Sequence, residues 1–172
     1  LQSNRISNIK LEKDISIDRM SHLLKSLDLS IEDGYESFVE NNDSLSKNPI
    51  RRMSSLTKRI LMSIDYEDCR RIRNNNFKIL HEALSDKNKL VLDISLIDAP
   101  LCYPFLVDKK ILRRKLISKR IYVPVYWPNV FKWTTEKMYE NYLATNLISL
   151  PIDHRYNEQD MRRIISCVKQ IL

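Results

Sequence analysis

Leu147-Ile-Ser-Leu-Pro-Ile-Asp-His-Arg-Tyr-Asn-Glu-Gln-Asp-Met161 is the stretch whose reading decides the fold. It opens on a short apolar run, Leu147–Leu150, with the character of a strand, and then turns. Asn157, with an acid three positions on at Asp160, has the form of a capping box at a helix start. Met161, Ile164, Ile165, Val168 and Leu172 follow at helical spacing and predict a last helix with one apolar side. A strand that runs straight into a one-sided helix implies a sheet for that helix to cover.

Three further runs of the same texture lie upstream: Leu90–Ile94, Leu101–Val107 and Ile121–Tyr126. With Leu147–Leu150 they predict one small, mostly antiparallel sheet. Pro104 and Pro124 lie inside two of these runs, so those strands should be short, bulged or at an edge. Between the runs, Asp108 is the expected cap of a helix through Ser118, with Ile111, Leu112, Lys115 and Leu116 at helical spacing. Thr134 or Thr135 is the expected cap of another, through Met138, Tyr142 and Leu143.

The chain before Ser85 reads as helical. Residues 1–17 are polar, with scattered isoleucines and no clear period. Asp18 caps an expected helix through Leu27, with Met20, Leu23, Leu24 and Leu27 on one face. Ser30 caps a second, to Leu45, whose first turn holds Glu32 and Asp33 against the helix dipole. Ser46-Lys-Asn-Pro49 is the expected boundary. Pro49 suits the first turn of a third helix over 50–64. Asp65 caps a fourth, Tyr66–Leu84, with Asn74, Asn75 and Asn76 exposed or at a contact. The expectation is therefore an α+β fold: a small sheet packed with helices in 49–172, behind an N-terminal helical extension or interdomain region in 1–48.

Composition narrows the class. The chain has 172 residues, 43% hydrophobic and 30% charged, which fits a folded domain rather than a disordered one. No apolar run approaches the roughly 20 residues needed to span a bilayer. Cys69, Cys102 and Cys167 are widely spaced, with no Cys-x-x-Cys or Cys/His metal pattern. They read as reduced thiols of a cytoplasmic protein. The net charge of +7 is uneven: residues 1–48 carry 6 Lys/Arg against 9 Asp/Glu, and 49–172 carry 23 against 13. A basic body suits an anionic partner. However, the arginines come as adjacent pairs (51–52, 70–71, 113–114, 162–163), which splay on a helix and form no single stripe. Nucleic acid is accordingly disfavoured as a partner.

Other constellations are unspecific. Ser-x-x-Lys occurs at Ser7/Lys10, Ser44/Lys47, Ser55/Lys58 and Ser166/Lys169, as expected by chance in a chain rich in both residues. His22, His81 and His154 lack ligand spacing. With one glycine, Gly34, the sequence has little means of building a phosphate cradle.

Several motifs taken in order carry a resemblance. They are Pro49-Ile-Arg-Arg-Met-Ser-Ser-Leu-Thr-Lys-Arg-Ile-Leu61, Arg70-Arg-Ile-Arg-Asn-Asn-Asn-Phe77, Ala99-Pro-Leu-Cys-Tyr-Pro-Phe-Leu-Val107, Val123-Pro-Val-Tyr-Trp-Pro128 and Leu150-Pro-Ile-Asp-His-Arg-Tyr156. In that order and spacing, residues 49–172 resemble the small C-terminal domain of fold-type-I, pyridoxal-phosphate-dependent aminotransferases of the sugar-nucleotide group (DegT/DnrJ/StrS type). The resemblance implies pyridoxal phosphate as cofactor, held by an N-terminal large domain that no segment here matches. The expectation is a piece or a shortened relative of such a protein, with no cofactor site and no catalytic residue of its own. The missing large domain would be its partner, and self-association into a homodimer is a second expectation. The resemblance places the 123–128 loop on the substrate-entry side of the site. Tyr126 and Trp127 are the candidates to stack on substrate, Arg155 to pair an anion, and Tyr156 to accompany it. Each also has a plain structural reading: the aromatics as closure of the core, Arg155 as the ordering partner of Asp153 or Asp160. The competing class is a stand-alone, non-enzymatic binding module whose basic face meets an anionic partner or nucleic acid.

Overall fold

The computed structural model of the protein describes residues 10–46 and 48–172. Outside the described residues lie the polar start 1–9, with Ser7 of one Ser-x-x-Lys pair, and Lys47 of another, within the expected break. The described residues form two compact units, divided between Ile64 and Asp65.

The first unit is helical. A short 3-10 turn, Ile17–Met20, leads into α1 (Ser21–Asp28), and α2 (Ile31–Leu45) packs against α1 as a hairpin. Ser30 caps α2 as expected, its side chain accepting from the Asp33 N–H. Gly34 sits where the two helices come closest. A Cβ there would stand 2.0 Å from Ser26 Oγ and 2.7 Å from the His22 carbonyl oxygen. The third helix is shorter than the 50–64 expected. It is α3 (Ser55–Met62), with Ser54 as cap accepting from Thr57 N–H at 3.0 Å. Residues before it are extended instead, because Arg52 pairs its backbone with Glu12 and Asp14 in a parallel bridge.

The second unit carries the sheet. α4 (Tyr66–Leu84) is capped by Asp65, as the sequence predicts. The strands are β1 (Cys102–Leu106) and β2 (Leu147–Pro151), antiparallel, with Cys102 opposite Pro151 and Leu106 opposite Leu147. The sheet thus has two strands, not four. Leu90–Ile94 and most of 121–126 are irregular, for a reason visible at the sheet edges. On the outer side of β1, Asn88 Nδ2 donates to the Pro104 carbonyl at 2.8 Å and Asn88 Oδ1 accepts from Leu106 N–H at 2.9 Å. Lys89 N–H reaches the Leu106 carbonyl. A side chain here occupies the place of a strand. The same bonds show that positions 104 and 106 turn their polar backbone away from β2, so the missing N–H of Pro104 costs the ladder nothing. On the outer side of β2, Arg113 Nη2 takes the Leu147 carbonyl at 2.7 Å, and its Nη1 takes those of Val123 and Pro124 at 3.1 and 3.2 Å. The 121–126 run is held beside the sheet by a guanidinium, not by a ladder.

α5 (Ile111–Ser118), a single turn α6 (Val130–Trp133), α7 (Tyr139–Asn146) and α8 (Glu158–Ile171) complete the unit. Asp108 does not cap α5. Its carboxylate bonds Lys89 and accepts from Tyr142 Oη, and the helix begins at Ile111 without a side-chain cap. Thr134 closes α6 by donating to the Val130 carbonyl, and α7 starts later, after Met138. Asn157 and Asp160 form the reciprocal box at the start of α8. Tyr103 and Phe105 of β1 and Ile148 and Leu150 of β2 meet Phe77, Leu80 and Leu84 of α4 and Met161, Ile164 and Val168 of α8 in one core. Leu112 and Leu116 of α5, with Ile121 and Val123, close it. The fold is α+β, with its sheet covered by helices.

Candidate functional site

α4 organises one end of the second unit, because its residues 70–76 hold two separate loops. Arg70 Nε and Asn74 Nδ2 both donate to Asp98 at 2.9 Å, and Asn74 Oδ1 accepts from the Ala99 N–H at 2.7 Å. Arg73 Nη1 donates to the Pro100 carbonyl at 3.0 Å. These bonds fix Ala99 in a left-handed conformation, φ 45°, which turns the chain into β1. One turn along the helix, Asn76 is 1% exposed. Its Nδ2 lies 3.3, 3.4 and 3.0 Å from the carbonyls of Ile152, Asp153 and Tyr156. Those carbonyls belong to the turn between β2 and α8. Since Cys102 pairs with Pro151, the start of β1 and the end of β2 bring both loops to the same end of the sheet.

Tyr126 and Trp127 are exposed, 42% and 68%, with ring centroids 6.0 Å apart and planes at 57°. They do not close the core, to which this run contributes Ile121 and Val123. The Tyr126 phenol is raised above its ordinary value by partial burial, then by the nearby Cys102 thiol, with Arg73 acting in the opposite direction. Burial also raises Cys102, and its hydrogen bond with Ser149 lowers it in part.

Arg155 is bound two ways to Asp153: Nε to Oδ1 at 3.0 Å and Nη2 to Oδ2 at 2.7 Å. Its guanidinium carbon stands 6.0 Å from the Tyr156 ring centre, a cation–π distance. Burial raises the Asp153 carboxyl, but the hydrogen bonds from Arg155 outweigh it and hold the group below its ordinary value. The pair orders the turn, while the Arg155 side chain remains 74% exposed. Tyr156 is half-buried, its phenol raised first by burial and next by Asp153. Arg155 and Tyr156 thus lie on the turn that follows the end of β2, and Tyr126 and Trp127 form an exposed pair on the 123–128 run. Arg73 and Asn76 fix the loops at the Cys102–Pro151 end, whereas Asn88 and Arg113 bond groups at the Leu106–Leu147 end, and none of the four is expected in these roles from the sequence. The one available signal was the polar run Asn74-Asn75-Asn76 interrupting the apolar face of a helix.

The arrangement offers an exposed aromatic pair for stacking and cations for charge recognition. Pyridoxal phosphate makes a different demand. A Schiff base to that cofactor needs a lysine in a sheltered hollow, and no lysine in 65–172 is buried. A hollow at the start of α8 is lined by Asn157, Glu158, Gln159 and Arg162, none of them a lysine. Among the described residues no three His, Cys, Asp or Glu side chains gather as a metal group. Ser55 is bonded by Lys13, not by Lys58. No described helix is long and apolar enough to cross a membrane. Compared with known proteins, the chain matches no family model, no curated protein and no solved structure.

Proposed function

We propose that residues 49–172 act as the small domain of a pyridoxal-phosphate-dependent aminotransferase-like protein of the sugar-nucleotide group, shaping the substrate side of a site whose cofactor is held elsewhere. One observation supports this reading above the others. Two of the segments that carry the resemblance present exposed recognition groups: Tyr126 and Trp127 form an exposed aromatic pair on Val123–Pro128, and Arg155 is exposed on Leu150–Tyr156. In that role Tyr126 and Trp127 stack on the substrate, and Arg73 faces its negative charge. Arg155 and Tyr156 shape the neighbouring wall.

The experiment extends the reading frame upstream of Leu1 and purifies the protein it encodes. The expected product is a longer chain with visible absorbance from bound cofactor that borohydride bleaches. Trp127→Ala should then raise KM more than it lowers kcat. An initiator methionine just ahead of Leu1, with no colour in the purified protein, would reject the proposal.

A second reading has its own observation. Residues 109–120 carry seven Lys/Arg and no acid, a composition suited to a binding module for polyanions. Retention on heparin that is lost in Lys110→Glu/Arg114→Glu, together with a colourless full-length protein, favours that reading.

A further inference from the structure

The first unit has no buried hydrophobic side chain among its described residues; its buried positions are Gly34, Ser37 and Ser54. Its apolar side chains face outward in quantity. On α2, Ile31, Tyr35, Phe38 and Leu45 recur at helical spacing and are 57%, 64%, 48% and 50% exposed. Around α3, Ile50, Met53, Ile60, Leu61 and Met62 are all exposed. Scattered exposed leucines need no explanation, but an apolar stripe broken only at Asn42 along one helix does.

The charges beside the two stripes are opposite. α2 carries Glu32, Asp33, Glu36, Glu40 and Asp43 and no Lys or Arg. Among the described residues, Glu36, Glu40 and Asp43 form no ion pair. Residues 50–62 carry Arg51, Arg52, Lys58 and Arg59 and no acid. Lys58 and Arg59 are exposed, again with no ion pair among the described residues. Two α2 helices facing each other would set carboxylates against carboxylates, which like-charge repulsion disfavours. An α2 facing a 50–62 segment joins apolar to apolar and acid to base.

We propose that a second copy of this chain docks on the first unit, with α2 of each copy lying on the 50–62 segment of the other. A two-fold axis makes this contact twice and closes the assembly, because both complementary surfaces belong to the same unit. The proposal does not rest on the aminotransferase reading. A non-enzymatic module with the same first unit would associate in the same way.

Charge reversal on the whole chain tests it. Variant one is Glu36→Lys/Glu40→Lys, and variant two is Lys58→Glu/Arg59→Glu. Sedimentation equilibrium should show a dimer for the unmodified chain, weakened by salt. Each variant alone should associate at least about tenfold more weakly. An equimolar mixture should recover a dimer containing one of each, since acid then meets base at both contacts. Far-UV circular dichroism checks that the variants keep their helices. Should the reversed variants fail to fold, Glu36→Gln/Glu40→Gln should still dimerise, with reduced salt dependence. A monomeric unmodified chain at high micromolar concentration would overturn the proposal. So would variants that dimerise as the parent does, a mixture that recovers nothing, or open assemblies larger than a dimer.

Discussion

Asn76 Nδ2 donates to the Tyr156 carbonyl at 3.0 Å, joining the middle of α4 to the turn ahead of α8 across 80 positions of chain. The same amide serves Ile152 and Asp153. One buried side chain therefore sets the shape of the turn that presents Arg155 and Tyr156.

Asn76→Ala should destabilise the second unit by about 1–3 kcal/mol, because it strands buried carbonyls without a donor. Asn76→Asp should cost more, since a carboxylate would face three carbonyl oxygens. Urea unfolding followed by tryptophan fluorescence checks both. Trp127 and Trp133 both lie in this unit.

Arg113→Met should release the 121–126 segment while leaving α5 in place. Burial holds the Arg113 pKa below its ordinary value, yet the guanidinium stays charged and serves three carbonyls. Losing charge-assisted bonds of this kind costs about 1.5–3 kcal/mol. Hydrogen exchange should rise at Ile121–Val123 and along β2 before it rises in α8. Uniform acceleration across the unit would show that Arg113 has no such local role.

The Asp153–Arg155 pair predicts an acid-sensitive turn. The folded carboxyl lies below its ordinary value, so its stabilisation is complete above the unfolded carboxylate range and is lost as pH falls through the folded value. The melting temperature of the parent should drop between about pH 5 and pH 3. Asp153→Asn should be less stable at neutral pH and should lack that part of the drop.

Gly34→Ala should loosen the α1–α2 hairpin. The new methyl group would meet Ser26 Oγ at 2.0 Å and the His22 carbonyl oxygen at 2.7 Å. Adding Ser26→Ala removes the first clash and leaves the second, so rescue should be partial. Loss of far-UV helical signal with unchanged tryptophan fluorescence would confine the effect to the first unit.

Ala99→Gly should stabilise the protein. Alanine is strained at a φ of 45°, whereas glycine is not. The Ala99 N–H keeps its bond to Asn74 in the variant, so the melting temperature should rise. A fall would mean that the gain in unfolded-chain freedom outweighs the relief.

Helix starts were legible where a capping side chain serves only its own helix: Ser30, Asp65 and Asn157 each bond the N–H three positions on. The sequence misled where the same residue type had a distant partner. Asp108 reads as a cap, but its carboxylate goes to Lys89 and Tyr142 from other segments. The start of the third helix failed for a related reason, since pairing of Arg52 with residues 12 and 14 competes with helix. Apolar texture identified the core-lining runs but not their pairing. Val123 is as buried as Ile148, yet only the second lies in a strand. At the candidate site the exposed aromatics and Arg155 were visible as motifs. Asn76 and Arg113 were not, because nothing local marks a polar side chain whose acceptors lie tens of residues away.

The two side chains that flank the sheet also set its width. An unpaired strand edge is a template for any other extended chain, including another copy of itself, and stacked growth on such edges is the route to cross-β fibres. Here one outer edge is occupied by a carboxamide from Asn88 and the other by a guanidinium from Arg113. Neither group can pass the hydrogen-bonding pattern on to a further strand. The protein thus ends its sheet at two strands by chemical termination, and leaves fewer bare edge groups to template a further strand than two unoccupied edges would.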